Sequence, residues 1–479
     1  MTYTPQTMSF RSRLLTDGFV VATAATGDHA FFSPEEFEQF RHAPATLPLH
    51  RQAELRARFL LGSPNPSTGV RRLMNSRIAT KRETVSSGPA LHIIVPTLQC
   101  AHSCRYCQVS RALSDQGHTI SLTDLDSACD SIFESSSPTL TVEFQGGDPL
   151  LRFDLVEHAI LRIQARNIFE KKRIRFVIAS TLHQLDPAMC AFFKVHGVYL
   201  STSIDGPLEL HNRNRPVPGR DAYERTTLGV EMARSLIGPD AVAALMTTTK
   251  ASLPHAEAIV DEYVRLGFKE IFLRPLSSYG FAKRNQTLLG YSVEDFFRFY
   301  QRGLQRVIHW NRQGVEIREV YASILLNKML STFDAGYVDL QSPTGAGSSV
   351  LVYNYDGYVY PSDEARMLAE SGDTSLRMGR IGTPLDVLLS SPIRGELVEA
   401  SEVENTPGCR DCAYNLFCAP NPVDMKAQYG HLIQSIFETE HCQRHMGLFD
   451  AMFMMVRAAG DELLDLLHLW AHPVAERRG

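Results

Sequence analysis

Cysteines are the residues of this chain whose spacing most directly indicates chemistry. Three of them, Cys100, Cys104 and Cys107, form a C-x3-C-x2-C pattern directly after the apolar run Leu91–Val95. Three thiolates can bind three irons of a [4Fe–4S] cluster and leave the fourth iron open to an outside ligand. A zinc loop or a set of free thiols is the alternative, but a structural zinc would need a fourth ligand nearby.

A second group of cysteines follows near the C-terminus. Its four members have the spacing C-x2-C-x5-C and then a distant fourth: Cys409, Cys412, Cys418 and Cys442. By chemistry alone, four thiolates suit either a structural zinc or a [4Fe–4S] cluster. The two remaining cysteines, Cys129 and Cys190, lie among apolar residues, so we expect them to be buried structural thiols.

Composition limits the class of protein. The length of 479 residues suggests about three domains. With 44% hydrophobic and 21% charged residues, disorder and coiled coil are excluded as the main architecture. The net charge of −5 gives no reason to expect nucleic acid as a partner. No apolar stretch of membrane-spanning length and no signal-peptide pattern occur, so we expect a cytoplasmic protein with reduced thiols.

The middle of the chain alternates between strand-like and helical patterns. Six short apolar or β-branched runs predict strands: Leu91–Val95, Leu140–Phe144, Ile174–Ala179, Val198–Ser203, Ala241–Met246 and Glu270–Leu273. Two of the helices between them are expected to run from Asp186-Pro187 to Gly197 and from Pro254 to Gly267. This alternation predicts an α/β fold with a parallel sheet, open or curled into a partial barrel. Chemistry in such folds lies at the C-terminal ends of the strands.

The first 85 residues are expected to form a small separate α+β module. Gly18–Ala22 and His29–Phe32 predict two strands, and Ser33-Pro34 predicts the start of a helix. The polar segment Asn75–Pro89 is expected to be a linker.

The core is expected to span residues 88–315 and to close with an amphipathic helix, Val293 to Trp310. A loop-rich domain with the second cysteine group is expected over 340–447. The Met- and Leu-rich pattern Leu448–Leu469 predicts a C-terminal helix within residues 448–479.

Beyond the first cysteine pattern, the sequence resembles the radical SAM superfamily. Its members bind S-adenosylmethionine (SAM) through the open iron and cleave it reductively to a 5′-deoxyadenosyl radical. Phe144-Gln145-Gly146-Gly147-Asp148-Pro149 is similar to the family's Gly-Gly-Glu-Pro motif, with Asp148 in place of the usual Glu. The Ser203-Ile204-Asp205-Gly206-Pro207 stretch resembles the branch that modifies proteins and peptides.

This resemblance implies a partial (β/α)6 TIM-like barrel and a set of SAM contacts. The implied contacts are Tyr106, Gly146, Gly147, Asp148, Ser203, Arg215 and Leu276. Asn212 departs from the Asp that the branch has at its position.

The second cysteine group resembles the SPASM domain of radical SAM maturases, which commonly carries two auxiliary clusters. The four cysteines correspond to the ligands of the distal cluster. Thr344 and Ser362 stand where the inner cluster has cysteines, and Pro422 replaces another one. Since hydroxyls and proline cannot replace thiolates on iron, we expect one auxiliary [4Fe–4S] cluster. In sulfatase-maturing relatives an Asp at the position of Asp363 is the proposed catalytic base. The competing interpretation is that Asp363 is a solvated residue in a turn. Glu364 and Arg366 could share the site.

A narrower resemblance is to the His-Xaa-Ser system radical SAM maturases, as the B-type member of a paired set. It is carried by Ile94–Cys100, Cys107–Arg111 and Tyr360–Leu368. It implies a repeat-containing precursor peptide as substrate, a second radical SAM maturase as partner, and an electron donor such as flavodoxin or ferredoxin. The N-terminal module is then either a strand edge that binds an extended peptide or a cap on the barrel.

The implied reaction is removal of a hydrogen from a peptide side chain or Cα, followed by oxidation or cross-linking. The auxiliary cluster is a possible electron acceptor. Two alternatives stay open: formation of formylglycine from a protein Cys or Ser, and a non-catalytic, metal-stabilised scaffold for a partner maturase. The missing inner cluster disfavours the first, and the intact motifs disfavour the second.

Overall fold

The N-terminal module consists of short strands and three helices. The computed structural model describes residues 5–63, 65–86, 88–114, 116–433 and 439–472. The elements of the module are β1 Gln6–Thr7, β2 Phe10–Leu14, β3 Val20–Ala24, β4 His29–Phe32, α1 Pro34–His42, α2 Leu49–Ala57, β5 Leu61–Gly62 and α3 Thr68–Ser86. Strands β2, β3 and β4 form an antiparallel sheet, and β1 pairs with β5.

In this module one strand was missed and one prediction was wrong. Strand β2, with the sequence FRSRL, was not predicted because its polar residues hide the alternation of a strand. The segment Asn75–Pro89 is not a linker, since α3 continues to Ser86. Propensity explains the helix: Thr68–Ser86 contains no proline, and its single glycine lies in the first turn. The predicted helix start is confirmed, because Ser33 accepts a hydrogen bond from the backbone N of Glu36.

The core contains strands that alternate with helices. Its elements are β6 Leu91–Thr97, α4 Leu122–Ser131, β7 Thr139–Gly146, α5 Phe153–Glu170, β8 Arg173–Ala179, α6 Pro187–His196, β9 Val198–Ser203, α7 Leu208–Asn214, α8 Ala222–Leu236, β10 Val242–Thr247, α9 Ala256–Arg265, β11 Glu270–Ile271, β12 Leu273–Arg274, α10 Gly280–Arg284, α11 Gln286–Leu289, α12 Val293–Arg312, β13 Arg318–Glu319 and α13 Val320–Leu330. The predicted caps of α6 are confirmed: Asp186 caps its start, and Gly197 is left-handed at its end.

The C-terminal part consists of short elements and then two longer helices. They are β14 Val350–Tyr353, β15 Tyr358–Tyr360, α14 Asp363–Glu370, β16 Gly379–Arg380, α15 Leu385–Leu389, α16 Pro392–Ser401, α17 Pro422–Tyr429, α18 Glu440–Ala458 and α19 Asp461–Ala471. Short 3-10 helices lie at Pro44–Thr46, Ile132–Glu134, Pro149–Arg152, Leu253–His255 and Val338–Leu340. The single predicted C-terminal helix is wrong, because the chain breaks between α18 and α19 at Ala459 and Gly460.

One sheet organises the core and extends into the C-terminal part. Its strand order is β12-β10-β9-β8-β7-β6-β14-β15-β16. The strands from β12 to β14 run parallel, as the alternation predicted, and β15 and β16 are antiparallel. The α/β partial-barrel prediction is therefore confirmed, and the loop-rich domain adds strands to the barrel sheet itself.

The alternation of side chains along the strands separates a helix-covered face from an inner one. Val142, Phe144, Ile178 and Leu200 are fully or almost fully buried in the main hydrophobic core. Cys129 and Cys190 are buried in the same core, as expected. The residues that alternate with them line the concave side, where the candidate site lies. In the described part of the chain, no helix is both long enough and apolar enough to cross a bilayer.

Candidate active site at the carboxyl ends of the strands

The loop after β6 holds the first cysteine group, which we name the three-cysteine loop (residues 100–107). The backbone N of Cys100 donates to the carbonyl of Ala112 at 3.2 Å, and that of Cys107 donates to the carbonyl of Cys104 at 3.2 Å. Burial raises the pKa of Cys104 to about 11 and also raises that of Cys100, which the neighbouring thiols and Asp148 raise further. A metal that binds these thiols must displace their protons.

Gly146 and Gly147 pack closely against the backbone of residues 97–99, which lead into this loop. A Cβ on Gly147 would lie 2.2 Å from the carbonyl oxygens of Leu98 and Gln99, and one on Gly146 would lie 2.2 Å from that of Thr97. Gly146 also has a φ of +133°. The backbone N of Gly147 donates to Thr97 O at 2.9 Å. Contact with the segment that leads into the three-cysteine loop therefore requires glycine at both positions.

The side chain of Asp148 links the ends of β7 and β8. Its carboxylate accepts hydrogen bonds from Ser180 Oγ at 2.7 Å, from Thr181 N at 3.2 Å and from Thr181 Oγ1. It also caps the turn at Leu150 N, 3.3 Å away. The carboxylate is fully buried and already satisfied by protein groups. Its role as a SAM contact stays a prediction.

Tyr106, Asp205 and Arg215 form a buried network beside the three-cysteine loop. The hydroxyl of Tyr106 donates to Asp205, with oxygen–oxygen distances of 2.7 and 2.9 Å, and accepts from Arg215 at 3.0 Å. Burial raises the pKa of Asp205, and the charge of Arg215 opposes that effect. The Nε of Arg215 is buried without a hydrogen-bond partner. This free donor suits a carboxylate such as that of SAM.

Two further predicted contacts lie at the same end of the sheet. Ser203 is the last residue of β9 and is half-buried on the concave side. Leu276 packs against the apolar cluster that contains Cys104 and Tyr106, and its backbone N donates to the hydroxyl of Tyr291 at 2.7 Å. Asn212 has another role: it accepts from Tyr223 N and donates to Arg220 O, so it ties α7 to the start of α8.

The concave side of the sheet also carries polar side chains earlier along β7, β8 and β9. Glu143 accepts from Gln145 at 2.9 Å, and the guanidinium of Arg175 lies 4.6 Å from the ring centre of Tyr199. Burial raises the pKa of Glu143, and the charge of Asp363 raises it further. A polar lumen of this kind can take up a substrate segment and hydrogen-bond to it.

Acidic residues from the C-terminal part face this lumen, and we name Asp339, Glu364 and Asp424 the acidic wall. Burial raises the pKa of Glu364 to about 7, with further contributions from Asp339 and Asp363. Asp339 accepts from Asn421 at 3.1 Å, and burial raises its pKa too. The hydroxyl of Tyr279 is buried near the three carboxyl groups and has no hydrogen-bond partner.

Asp363, the predicted base, is held by Arg366 at the start of α14. Its Oδ1 accepts from Arg366 Nε at 2.9 Å and from a second guanidinium nitrogen. Arg366 is fully buried. This ion pair engages the Asp363 carboxylate, whereas no ion pair of Glu364 is found among the described residues. The geometry therefore favours Glu364 over Asp363 as a proton acceptor, and both roles remain predictions.

The second cysteine group forms what we name the four-cysteine site. All four thiols line one cavity, whose empty volume is about 470 Å³ including its opening: Cys409, Cys412, Cys418 and Cys442. Burial raises the pKa of Cys409 to about 12 and that of Cys442 to about 11. This set of donors fits either a four-iron cluster or zinc.

Two histidines stand beside Cys418. Ligand atoms of Cys418, His441 and His445 lie within 4.8 Å of one another. Each ring already has a partner: His441 Nε2 is 2.9 Å from Ala419 O, and His445 hydrogen-bonds with Tyr321. The four thiols lack such strong partners, so they are the better ligand set.

Thr344 and Ser362, which stand where the resemblance implies inner-cluster cysteines, form hydrogen bonds with backbone N–H groups. Thr344 Oγ1 accepts from Ala346 N at 3.2 Å, and Ser362 caps α14 by accepting from Ala365 N at 3.2 Å. Both side chains are buried. Pro422 occupies the first turn of α17.

The N-terminal sheet is clamped onto the four-cysteine site. Arg11 Nε donates to Arg410 O at 2.5 Å, and Thr23 Oγ1 donates to Ala413 O at 2.7 Å. Arg13 forms a two-pronged ion pair with Asp450 at 2.7 and 2.8 Å. The module therefore packs against the segment that carries Cys409 and Cys412 and against α18.

Several site residues were missed in the sequence. Asp205 lies within the Ser203–Pro207 motif, but the sequence does not show that its side chain is buried. Asp339 and Asp424 carry no local signal, because only the packing of the C-terminal part brings them close to Glu364 and Tyr279.

Comparison with known proteins gives one family match and several distant relatives. Residues 94–270 match the model of the radical SAM superfamily. A cysteine-type anaerobic sulfatase-maturating enzyme of Clostridium perfringens is 22% identical over 277 residues, which cover 55% of this chain and 71% of that one.

Two solved structures share the fold. The structure of anSMEcpe with bound AdoMet and Kp18Cys peptide superposes with a TM-score of 0.65 at 16% identity, covering 79% of this chain and 99% of that one. Streptococcus suis SuiB bound to its precursor peptide SuiA gives a TM-score of 0.53 at 14% identity, covering 89% and 97%. Over residues 94–270 the chain therefore matches the radical SAM superfamily model, and its partial barrel has the fold of these two structures.

Proposed function

We propose that this protein is a radical SAM enzyme that modifies a ribosomally made peptide or protein, as a maturase of the His-Xaa-Ser type. The observation that carries the proposal is the convergence of the three-cysteine loop, the Gly146–Gly147 pair and the unpartnered Arg215 Nε at one end of a polar lumen. The radical SAM match and the peptide-bound proteins of the same fold support it.

Residues of this chain would hold the cofactors. Cys100, Cys104 and Cys107 would hold a [4Fe–4S] cluster, and Arg215, Ser203 and the Gly146–Gly147 backbone would hold SAM. When bound, this pair supplies reductive cleavage of SAM and removal of a substrate hydrogen atom. The barrel orients the substrate segment and excludes water, while Glu364 accepts the proton that the oxidised substrate releases.

The four-cysteine site would hold one auxiliary [4Fe–4S] cluster. Its four thiolates leave no position open for substrate, so it would serve structure or accept electrons. Flavodoxin or ferredoxin would be the source of the reducing electron, and a second radical SAM maturase would act on the same precursor.

A formylglycine-generating activity is the second candidate, favoured by the shared fold with anSMEcpe. Thr344 and Ser362 count against it, because their hydroxyls are engaged by the backbone where those relatives are expected to have a cluster.

Metal analysis tests the cofactor assignment. Anaerobically purified protein should contain about eight irons, and the Cys409→Ala/Cys412→Ala variant about four. About four irons and one zinc, with the zinc lost in the variant, would make the four-cysteine site a structural zinc site. Formation of 5′-deoxyadenosine from SAM should disappear in a Cys100→Ala/Cys104→Ala/Cys107→Ala variant and persist in Cys129→Ala.

Co-expression with candidate substrates tests the reaction. A His-Xaa-Ser repeat peptide should show a mass change by mass spectrometry that is absent with the triple cysteine variant. A sulfatase-derived peptide with a Cys or Ser target serves as the comparison. Modification of the sulfatase peptide alone would establish the second candidate instead.

A further inference from the structure

A cavity of about 450 Å³ with basic walls opens beside the three-cysteine loop, and we name it the basic cavity. Four residues that can carry positive charge line it: Arg105, Arg213, Lys250 and His255. Its other walls are mainly apolar and include Leu288 and Leu289. The volume lies within the range of ligand-binding pockets.

The charge of this cavity is not balanced by the protein. No acidic residue is among its lining residues, and within the described ranges none of the four basic side chains forms an ion pair. Other arginines of the chain are paired, for example Arg306 with Asp261. Because the whole protein has a net charge of −5, a local cluster of unpaired positive charge points to an acidic partner.

The cavity lies directly behind the three-cysteine loop. Arg105 is located between two of the cysteines, and its backbone N donates to Asn214 O at 3.1 Å. Asn285 Nδ2 donates to the carbonyl of Arg105 at 2.8 Å. Leu289, a wall of the cavity, belongs to the same buried apolar cluster as Cys104 and Tyr106. The cavity and the three-cysteine loop therefore share both Arg105 and this cluster.

The basic side chains are exposed, which distinguishes a docking surface from a small-anion site. Arg105, Arg213, Lys250 and His255 all have solvent-exposed side chains. Leu288 at the same rim is 53% exposed. A site for a small anion would enclose its charged groups, whereas a rim of exposed charges around an apolar patch suits the acidic face of another protein.

We propose that the basic cavity is the docking surface for the acidic face of a small one-electron donor protein. The inference rests on the proposed function, in which an outside reductant must supply one electron to the three-cysteine site. One electron leaves the donor and enters that site, and no atom is transferred. The exposed charges would steer the donor, and Leu288 would contact its apolar centre.

Charge reversal tests this surface without touching the cofactor residues. The variant Arg213→Glu/Lys250→Glu is compared with Arg173→Glu/Lys194→Glu, which changes the net charge equally at the opposite ends of the strands. Binding of a flavodoxin and of a [2Fe–2S] ferredoxin to the anaerobically purified proteins is measured at low and at physiological ionic strength. SAM cleavage is measured with dithionite and with each reduced donor.

We expect at least one donor to bind the unaltered protein, more weakly as salt rises. Arg213→Glu/Lys250→Glu should weaken this binding at least tenfold and slow donor-driven SAM cleavage in proportion, while dithionite-driven cleavage stays unchanged. Arg173→Glu/Lys194→Glu should behave like the unaltered protein.

Three results would overturn the inference. They are binding of neither donor, equal effects of the two charge reversals, and binding of inorganic phosphate in the cavity that donor does not displace. The last would identify a small-anion site. Absence of SAM cleavage even with dithionite would instead remove the proposed function, so the two failures are distinguishable.

Discussion

The neighbouring carboxyl groups of Asp363 and Glu364 differ in their suitability as proton acceptors. Asp363 is neutralised by the buried Arg366, whereas Glu364 faces Asp339 and Asp363 and has its pKa raised to about 7. A group with a pKa near the working pH both accepts and releases protons readily. In the sequence, Asp363 was chosen by its resemblance to a motif position. Such a match cannot show which of two adjacent acidic residues forms an ion pair.

Glu364 should make stability fall as pH rises. Its pKa is raised in the folded state, so the folded protein holds a proton that the unfolded chain releases above about pH 4.5. The free energy of unfolding should therefore decrease between about pH 4.5 and 7, by up to ~1.4 kcal/mol per pH unit for one proton. Glu364→Gln should flatten this slope in denaturant titrations, while Glu399→Gln on exposed α16 should leave it unchanged.

The Tyr106 hydroxyl joins Asp205 to Arg215, so its removal should act on both. Tyr106→Phe leaves the buried Asp205 carboxylate without its closest donor, and we expect a loss of about 1–3 kcal/mol in stability. SAM affinity should fall as Arg215 loses its anchor. Tyr429→Phe, at a more exposed hydroxyl, is the matched control for equilibrium unfolding and for SAM binding. Equal affinities in the two variants would contradict the anchoring role.

At the scale of elements, the parallel strands were predictable, but the pairing of the last predicted strand was not. The run Glu270–Leu273 was predicted as one strand, but Ile271 pairs with Glu319 while Leu273 pairs with Met246. The periodicity of a sequence cannot show that one short apolar run forms two strands that pair with different partners. The glycine pair after β7 was recognisable from its motif, while its contact with the loop after β6 required the three-dimensional packing.

Gly147→Ala should displace the three-cysteine loop. The added methyl group would meet two backbone oxygens at 2.2 Å, which cannot move without the loop. We expect the variant to remain folded but to lose about half of its iron, that of the first cluster. Gly395→Ala in α16, where nothing lies within 4 Å, should retain full iron. Full iron and normal SAM cleavage in Gly147→Ala would show that the loop tolerates the shift.

At the scale of the whole molecule, the N-terminal module belongs to the four-cysteine site. Residue pattern alone left open whether it recognises peptides or caps the barrel. Arg11, Arg13 and Thr23 contact the C-terminal part directly, so one face of the module is committed to structure. These contacts were not predictable, because they join segments that are far apart along the chain.

Thr23→Val tests this clamp. It removes the donor to the buried carbonyl of Ala413 and should cost about 1–2 kcal/mol of stability, together with partial loss of metal from the four-cysteine site. Thr80→Val, whose hydroxyl bonds only within α3, is the control. Iron and zinc analysis after gel filtration and denaturant unfolding provide the measurements. Equal retention of metal in both variants would contradict the role of the clamp.

The clamp also constrains how the protein is made. The contact of Arg11 with Arg410 spans 399 positions of sequence, and that of Arg13 with Asp450 spans 437. During synthesis the N-terminal sheet emerges first and must wait for its partner until nearly the whole chain has left the ribosome. Long-range contacts of this kind slow folding. The proposed insertion of metal at the C-terminal cysteines would therefore follow translation, and the segment that is translated first would be among the last to reach its native contacts.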